Sequence, residues 1–403
     1  MAPELASAPV QFGRYRLLGR LAQGGMADVH RAELITEAGI TRPVVIKRIR
    51  GELADDEAFA KVRAEFLEEA RIAALLGHGN IAQVVDVGEH QGEPYIAFEL
   101  VHGKSAADLV DAALLVGKRL PAEIACYVAL EMCKGLHHAH TRTDSQRKPL
   151  HLVHRDVSPQ NVMLSFEGEV KLVDFGIAKA YGEQRPGRSR TATGVVKGKY
   201  MYFAPEQALC QPLDARTDVY ATGAVLYEML CGRLAIEGDM VEALRKLVEG
   251  NFPRPSAVNP RVPAELEAVV LKAMATDREE RFGSALALQE ALAGWLTSNA
   301  PRLSQATLAD TMKYVFRREL EAEGLDAKVP LEFAMQTDAW PDAPSTPTVE
   351  RSAEGATHPA VDLAAELGAA AAPAPTHRRR SRWLAGAALG LALALGLLAY
   401  QAR

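Results

Sequence analysis

Residues 151–180 read HLVHRDVSPQNVMLSFEGEVKLVDFGIAKA, and this stretch decides the fold. Two short apolar runs, at 162–164 and 170–173, predict strands on either side of a polar turn. If these strands pair as an antiparallel hairpin, Asn161 and Asp174 stand opposite each other at its open end. The hairpin would then bring an amide oxygen and a carboxylate into one small volume.

The pair formed by Asn161 and Asp174 is typical of a magnesium site. Mg²⁺ takes oxygen ligands and is usually held by one or two side chains together with substrate phosphates. Asp156 lies a few residues before the first strand and would face an attacking hydroxyl group. The segment therefore predicts a metal and an acid acting on a phosphorylated substrate.

The order of motifs around this hairpin resembles the signature of the protein kinases. A single tripeptide of this kind more often marks a turn with a solvated acid, so only the ordered set is informative. The motifs follow the family's order within the first 296 residues: His154-Arg155-Asp156, Asn161, Asp174-Phe175-Gly176 and Ala204-Pro205-Glu206.

The resemblance implies an α+β bilobal protein kinase fold at residues 14–296, after an N-terminal tail at 1–13. Residues 14–101 would form a small β-rich N-lobe with one main helix, and residues 102–296 a larger helical C-lobe. The resemblance also implies ATP and Mg²⁺ as cofactors, and transfer of the γ-phosphate to Ser/Thr hydroxyls of protein substrates.

The composition fits an ordinary globular protein. Of the 403 residues, 48% are hydrophobic and 24% are charged, which is enough for a kinase-sized core. The formal net charge of -5 gives no reason to expect nucleic acid as a partner. The four cysteines have no paired spacing, so we expect reduced core residues without a disulfide or metal cluster. Residues 1–10 lack the features of a secretory signal.

The segment 22–27, AQGGMA, lies between two predicted strands at 15–21 and 29–32. It resembles the glycine-rich loop of kinases, whose backbone approaches the ATP phosphates closely. The first and third glycines are alanines here, so a glycine hairpin without a ligand is the alternative. The resemblance implies nucleotide contacts for five residues, the last of them against adenine: Leu21, Ala22, Gly24, Gly25 and Val29.

Lys47 ends an apolar run, and a charge in such a strand needs a partner. The next segment carries apolar residues at three- and four-residue steps, which predicts an amphipathic helix with Glu69 on its buried stripe. The resemblance implies that Lys47 contacts the α and β phosphates while Glu69 holds it in place. The alternative is an exposed lysine and a solvated helical acid.

The predicted strand at 94–98 leads into a segment that corresponds to the kinase hinge. The resemblance implies that Glu99 and Val101 in this hinge bind adenine. Phe98 takes the position that limits the back of the ATP pocket, and its size predicts a small back pocket.

Ser158 stands two residues after Asp156, where most Ser/Thr kinases place a lysine that supports the γ-phosphate. The partner of that lysine is normally the threonine of a Gly-Thr pair, which reads Gly198-Lys199 here. We therefore expect Lys199 to supply the catalytic positive charge near Asp156. The alternative is an exposed Lys199 in an enzyme that tolerates the loss.

The stretch from Asp174 to Glu206 corresponds to the kinase activation segment. Arg155, beside the catalytic aspartate, is placed to pair with a phosphate on this segment. We expect activation by autophosphorylation there, with ordinary loop hydroxyls as the alternative. The expected phosphoacceptors are Ser189, Thr191 and Thr193.

Two further acids are expected to fix the structure of the C-lobe. The resemblance implies that Glu206 pairs with Arg281, and that Asp218 holds the backbone of the catalytic loop. Neither contact takes part in the chemistry. A buried pair fixes geometry because leaving either charge alone costs several kcal/mol.

The residues after the kinase-like region fall into three parts. Residues 297–325 predict an amphipathic helix, and residues 326–381 predict a flexible, disordered linker rich in Ala and Pro that ends in a basic cluster. Residues 382–400 predict one transmembrane helix, since their apolar stretch would be ~27 Å long as a helix. An amphipathic surface helix is the alternative.

Four arginines precede the apolar stretch at 383–400, so we expect a single-pass protein of the plasma (inner) membrane with a cytoplasmic kinase. Gly386 and Gly390 are spaced for helix pairing, which favours a homodimer that phosphorylates itself in trans. These features together resemble the bacterial, eukaryotic-like (Hanks-type) transmembrane Ser/Thr kinases. A pseudokinase scaffold that binds nucleotide and partners without phosphotransfer is the main alternative, and a small-molecule kinase is a further one.

Overall fold

The computed structural model describes residues 9–23, 27–49, 56–175 and 199–343. Within these ranges, no helix is both long enough and apolar enough to cross a bilayer. The expected transmembrane helix at 382–400 and the expected linker beyond residue 343 lie outside the described residues.

Six strands form the sheet of the N-lobe: β1 (Val10–Phe12), β2 (Tyr15–Gln23), β3 (Ala27–Ile35), β4 (Thr41–Ile49), β5 (Val84–His90) and β6 (Glu93–Glu99). They pair antiparallel in the order β1-β2-β3-β4-β6-β5, and helix α1 (Asp56–Leu75) connects β4 to β5. Successive side chains of a strand point to opposite faces. Accordingly, Tyr95 of β6 joins one apolar cluster, while Ile96 joins a second cluster with Phe66 of α1.

A second sheet carries the hairpin expected from the sequence. Its strands, in order, are β7 (Gly103–Ser105), β8 (Val162–Ser165) and β9 (Val170–Leu172). The antiparallel pairing of β8 and β9 confirms the prediction. Gly168 in the turn has a φ of +81°, and a Cβ atom there would lie 1.9 Å from the carbonyl oxygen of Gln305. The turn therefore requires glycine.

Helices build the C-lobe: α2 (Ala106–Leu115), α3 (Ala122–His140), α4 (Pro205–Ala208), α5 (Ala215–Cys231), α6 (Met240–Glu249), α7 (Pro255–Val258), α8 (Ala264–Ala273) and α9 (Ala285–Asn299). Helices α3, α5 and α9 pack together at the centre. Their apolar side chains belong to one contiguous core that also includes the inner residues of β8 and β9. The hairpin of the site is thus built directly on the C-lobe core.

The chain continues past the C-lobe as a folded extension, which corrects the single helix expected within 297–325. This region contains two helices, α10 (Gln305–Val315) and α11 (Arg317–Ala322). The chain turns at Phe316 between them, and the turn buries Phe316 and Leu320 in the C-lobe core. The burial of these two side chains explains why the chain forms two helices joined by a turn instead of one straight helix.

The start of the expected linker also needs correction, because residues 326–343 are folded. They contain α12 (Leu331–Gln336), and Trp340 is only 6% exposed. The ring of Trp340 lies 5.6 Å from the ring of Tyr314 and 6.3 Å from that of Phe333. The burial of Trp340 therefore helps to hold a segment that has no sustained apolar periodicity, which is the signal that the prediction uses.

Candidate active site

Lys47 lies in the middle of the site and contacts both lobes. Its Nζ atom is 2.6 Å from Oε1 of Glu69 on α1 and 3.1 Å from Oδ1 of Asp174, just after β9. The contact with Glu69 confirms the expected pair, whereas the sequence did not predict the contact with Asp174. Burial opposes the charge of Lys47, but the carboxylates of Asp174 and Glu69 outweigh it and raise the lysine's pKa above its ordinary value. Lys47 is therefore a cation held between two acids.

A small cavity lies behind this ion pair, between α1 and β9. Its lining includes Glu69, Phe98 and Phe175. Phe98 thus occupies the back of the pocket, as its position in the sequence predicts. Glu99 ends β6 directly after it, and Val101 follows as a half-buried residue of the connection to the C-lobe.

Asp174 has a left-handed backbone conformation, with a φ of 54°. Such a conformation in a non-glycine residue costs on the order of 1–3 kcal/mol and persists only where the surroundings enforce it. The neighbouring Phe175 is buried, and its ring lies 4.4 Å from the ring of His154. The Nε2–H group of His154 donates to the carbonyl oxygen of Val173 at 3.2 Å. These contacts hold the chain on both sides of Asp174.

Asn161 connects the catalytic loop to the hairpin. Its Nδ2 atom donates to the backbone oxygen of Asp156 at 2.7 Å and to Oδ2 of the same residue at 3.1 Å. The N–H group of Val173 donates to the carbonyl oxygen of Asn161 at 3.0 Å. Asn161 therefore lies opposite the residue that directly precedes Asp174. Because Nδ2 is engaged with Asp156, Oδ1 is the side-chain atom that would face a cation.

The donor set at this end of the hairpin fits a magnesium ion. The carboxylate of Asp174 and the amide oxygen of Asn161 are the kind of ligands that Mg²⁺ takes when phosphates and waters complete its shell. In the part of the chain that the structure describes, no group of three or more His, Cys, Asp or Glu side chains is arranged to hold a metal. With two oxygen ligands from the protein, the rest of the shell would come from phosphates and waters.

Asp218, at the start of α5, holds the backbone of the catalytic loop. Its carboxylate accepts the N–H groups of His154 at 2.7 Å and of Arg155 at 2.9 Å, which confirms the expected anchor. His140 of α3 adds a contact of 2.8 Å that the sequence did not predict. Burial opposes ionisation, but His140 and the other donors hold the pKa of Asp218 below its usual value. Asp218 is therefore a fully buried anion.

The segment around Glu206 is tied to both the C-lobe core and the catalytic loop. Glu206 accepts two hydrogen bonds of 2.8 Å from Arg281, and both side chains are buried, which confirms the predicted pair. Gln207 donates to the carbonyl oxygen of Arg155 at 3.0 Å, and Arg155 has a left-handed φ of 66°. The sequence reasoning missed Gln207, since no spacing rule links it to Arg155.

Ser158 is only 1% exposed, and its hydroxyl has no hydrogen-bond partner among the residues that the structure describes. Lys199 begins the 3₁₀ turn Lys199–Tyr202, but its side chain lies outside the described part of the chain. The expected charge of Lys199 beside Asp156 therefore stays a prediction.

The nucleotide side of the cleft is formed by β2, β3 and β4. Ala22 is the register partner of Val29, and Val29 also pairs with Lys47. Leu21 and Ala22 are exposed near the end of β2. The other expected residues of the loop and of the activation segment lie outside the described ranges: Gly24, Gly25, Gly176, Ser189, Thr191 and Thr193.

Comparisons with known proteins agree with this geometry. The profile of the family described as "Protein kinase domain" matches residues 15–293. The tyrosine-protein kinase MasK of Myxococcus xanthus is 39% identical over 313 residues, covering 76% of this chain and 47% of the relative. The serine/threonine-protein kinase PknB of Mycobacterium tuberculosis is 38% identical over 278 residues, covering 68% and 41%.

A solved structure shows the same fold. The crystal structure of the Mycobacterium tuberculosis PknI kinase domain is 26% identical, with a TM-score of 0.51, and the match covers 72% of this chain and 99% of that one. The chain spans less than half the length of the curated relatives named above. The family profile places the shared region at residues 15–293.

Proposed function

The chain belongs to the protein kinase family, and from this premise we propose that it is an active bacterial Hanks-type kinase that transfers the γ-phosphate of ATP to Ser/Thr hydroxyls of proteins. The observation that carries the proposal is the pair of contacts made by Lys47. The lysine bonds Glu69 and Asp174 at the same time, and these acids belong to different lobes. The groups of an active site are therefore already assembled across the cleft.

Each residue has a separate part in the proposed transfer. Lys47 would bind the α and β phosphates, while Asn161 and Asp174 would hold Mg²⁺. When bound, the ion would neutralise the charge that develops on the phosphates. Asp156, which Asn161 holds by two hydrogen bonds, would orient the incoming hydroxyl and take up its proton. The backbone near Glu99 and Val101 would bind adenine.

The finer features of the proposal involve residues outside the described ranges or side chains that are not described. We expect Lys199 to stand in for the missing catalytic-loop lysine, since the buried hydroxyl of Ser158 supplies no charge. We expect autophosphorylation at Ser189, Thr191 or Thr193 to activate the enzyme. A membrane helix at 382–400 would anchor the kinase on the cytoplasmic side and promote dimers.

Two alternatives have a specific observation behind them. The relative with 39% identity is named a tyrosine-protein kinase, which favours tyrosine as a second acceptor. The alanines in the glycine-rich loop and the serine at position 158 favour a pseudokinase scaffold. The presence of Asp156, held by Asn161, argues against the scaffold, because a protein that only binds nucleotide has no need of an acid placed to orient an incoming hydroxyl.

Phosphoamino acid analysis separates these functions. The full chain would be incubated with radiolabelled ATP, Mg²⁺ and a generic protein substrate, and the hydrolysed products would be resolved. We expect label on serine or threonine that disappears when EDTA removes the metal. Label on tyrosine alone would establish the second function, and nucleotide binding without any label would establish the scaffold.

A further inference from the structure

Lys171 of β9 forms an ion pair that joins the two lobes beside the hinge. Its Nζ atom lies 3.0 Å from Oε1 of Glu99, the last residue of β6. The side chain of Lys171 is 8% exposed and that of Glu99 is 23% exposed. The pair is therefore mostly removed from water, unlike the surface pairs that contribute little to stability.

Glu99 is also held by Gln83, which lies next to β5. Its Oε1 atom accepts the N–H group of Gln83 at 2.9 Å, and its own N–H group donates to the carbonyl oxygen of Gln83 at 2.9 Å. The carboxylate of Glu99 is thus shared between Gln83, next to β5, and Lys171, in the C-lobe hairpin. A rotation of one lobe against the other at this point would break one of these bonds.

The strand that carries Lys171 is held to the same segment by its backbone. The N–H group of Leu172 donates to the carbonyl oxygen of Asn80 at 2.9 Å, and Leu172 accepts the N–H group of Ala82 at 2.9 Å. Residues 80–83 are therefore bonded to β9 at one end and to Glu99 at the other. The pair of Lys171 and Glu99 closes this ring of contacts.

This ring of contacts joins two parts of the proposed nucleotide site. Lys171 lies three residues before Asp174, and Glu99 lies in the segment whose backbone would bind adenine. A fixed distance between Lys171 and Glu99 would set the distance between the adenine site and the carboxylate of Asp174, which is expected to hold the metal. Binding groups must be held close to their productive geometry, since small displacements are costly.

We propose that Lys171 and Glu99 are positioning residues that set the affinity of this kinase for ATP by fixing the hinge against the strand that leads to Asp174. This inference rests on the proposed function, because it concerns the same nucleotide site. Neither side chain is expected to touch the transferred phosphoryl group. Their loss should therefore weaken nucleotide binding more than it slows the chemical step.

The test compares two single variants with the double variant. In Lys171→Met, an apolar chain of similar length replaces the cation, and in Glu99→Gln the lysine stays buried without its counter-charge. We expect each single variant to raise the KM for ATP and the Kd for Mg-ADP by about tenfold, with a smaller effect on kcat. The double variant Lys171→Met/Glu99→Gln should bind nucleotide at least as well as Glu99→Gln alone, since it leaves no buried unpaired charge.

Arg254→Met is the matched control, because it removes the cation from another pair with a buried acid. Arg254 lies 2.7 Å from Glu267, and both residues belong to the helical part of the C-lobe. Nucleotide affinity in this variant should equal that of the wild type, whatever the loss in thermal stability.

If the Lys171 and Glu99 variants kept the wild-type Kd and KM and only their melting temperature fell, the pair would have a merely structural role. This result would overturn the inference. An equal loss of affinity in the Arg254 variant would overturn it as well. Failure of the wild type itself to transfer phosphate would count against the proposed function instead, and Mg-ADP binding to the variants would still decide the role of the pair.

Discussion

The two lobes hold their halves of the site in different ways. The C-lobe has one contiguous apolar core, and its buried acids Asp218 and Glu206 meet partners from the same lobe. The N-lobe has two small apolar clusters on opposite faces of one sheet. In the N-lobe, Lys47 bonds Asp174 from the C-lobe as well as Glu69 from its own lobe. The buried acids of the C-lobe therefore stabilise the fold of that lobe. The charge of Lys47 in the N-lobe instead brings residues of both lobes together at the site.

Similar substitutions should therefore have different consequences in the two lobes. Removing one member of a fully buried pair leaves its partner charged in a dry core, which costs several kcal/mol. Removing Lys47 leaves two acids that can avoid a buried charge. Asp174 has a half-exposed carboxylate that reaches water, and burial raises the pKa of Glu69 above its ordinary value, which favours its neutral form. The first change should strongly destabilise the protein, and the second should leave a protein that is more stable than the first variant and has no activity.

The largest effect on stability is expected for Arg281→Met. The substitution leaves Glu206 without its two 2.8 Å hydrogen bonds, so the free energy of unfolding should fall by about 3–5 kcal/mol. Lys47→Met should lower it by less than about 2 kcal/mol while phosphotransfer is lost. Chemical denaturation of both variants, followed by circular dichroism, measures the two changes. If the free energy of unfolding fell equally in the two variants, the two lobes would not differ in the role of their buried charges.

The next effect concerns the extension after α9, which we assign to the C-lobe core. Trp340→Ala removes the ring that packs against Tyr314 and Phe333, so the free energy of unfolding should fall by about 3 kcal/mol. Leu331→Ala is the control, because Leu331 is 75% exposed and its loss should cost less than about 0.5 kcal/mol. If Trp340→Ala were as stable as Leu331→Ala, residues 326–343 would be an appendage and the core would end at α11.

The smallest effect is a dependence on pH that arises in the C-lobe. Burial lowers the pKa of His154 below its ordinary value of about 6.5, so the native state keeps this residue neutral. Below pH 6.5 the unfolded chain binds a proton that the native state does not. The stability is therefore complete above about pH 6.5 and falls, by at most about 1.4 kcal/mol per pH unit, as the pH drops toward the folded pKa.

His154→Phe keeps a ring against Phe175 but cannot take up a proton. Its free energy of unfolding should be lower than that of the wild type at pH 7.5, and it should change less between pH 7.5 and pH 5.5. The other histidines are present in both proteins, so the difference between the two slopes reports on His154. Identical slopes would place the acid sensitivity elsewhere.

The sequence predicted the parts of the site that depend on local spacing. The hairpin that carries Asn161 follows from two short apolar runs and a turn, and the pairing of Lys47 with Glu69 follows from one strand and one helical stripe. The pairs of Glu206 with Arg281 and of Asp218 with the catalytic loop could be inferred only through the family resemblance. All four predictions are confirmed by contacts in the structure.

The contacts that the sequence did not predict join segments that are far apart and follow no period. Gln207 reaches the carbonyl oxygen of Arg155, and Lys171 reaches Glu99 across 72 positions of the chain. Trp340 gave no signal either, because an aromatic residue outside any periodic pattern does not reveal what it packs against. Such contacts depend on how the lobes and the extension meet, which spacing rules do not describe.

We propose that Asp156, held by Asn161, directs an incoming hydroxyl to the γ-phosphate of ATP. The most direct test is the initial rate of phosphate transfer from radiolabelled ATP by Asp156→Asn, compared with Asp144→Asn in a local turn before the catalytic loop. We predict a loss of at least about 100-fold for Asp156→Asn and the wild-type rate for Asp144→Asn, with nucleotide bound by both. A wild-type rate in Asp156→Asn would contradict the account.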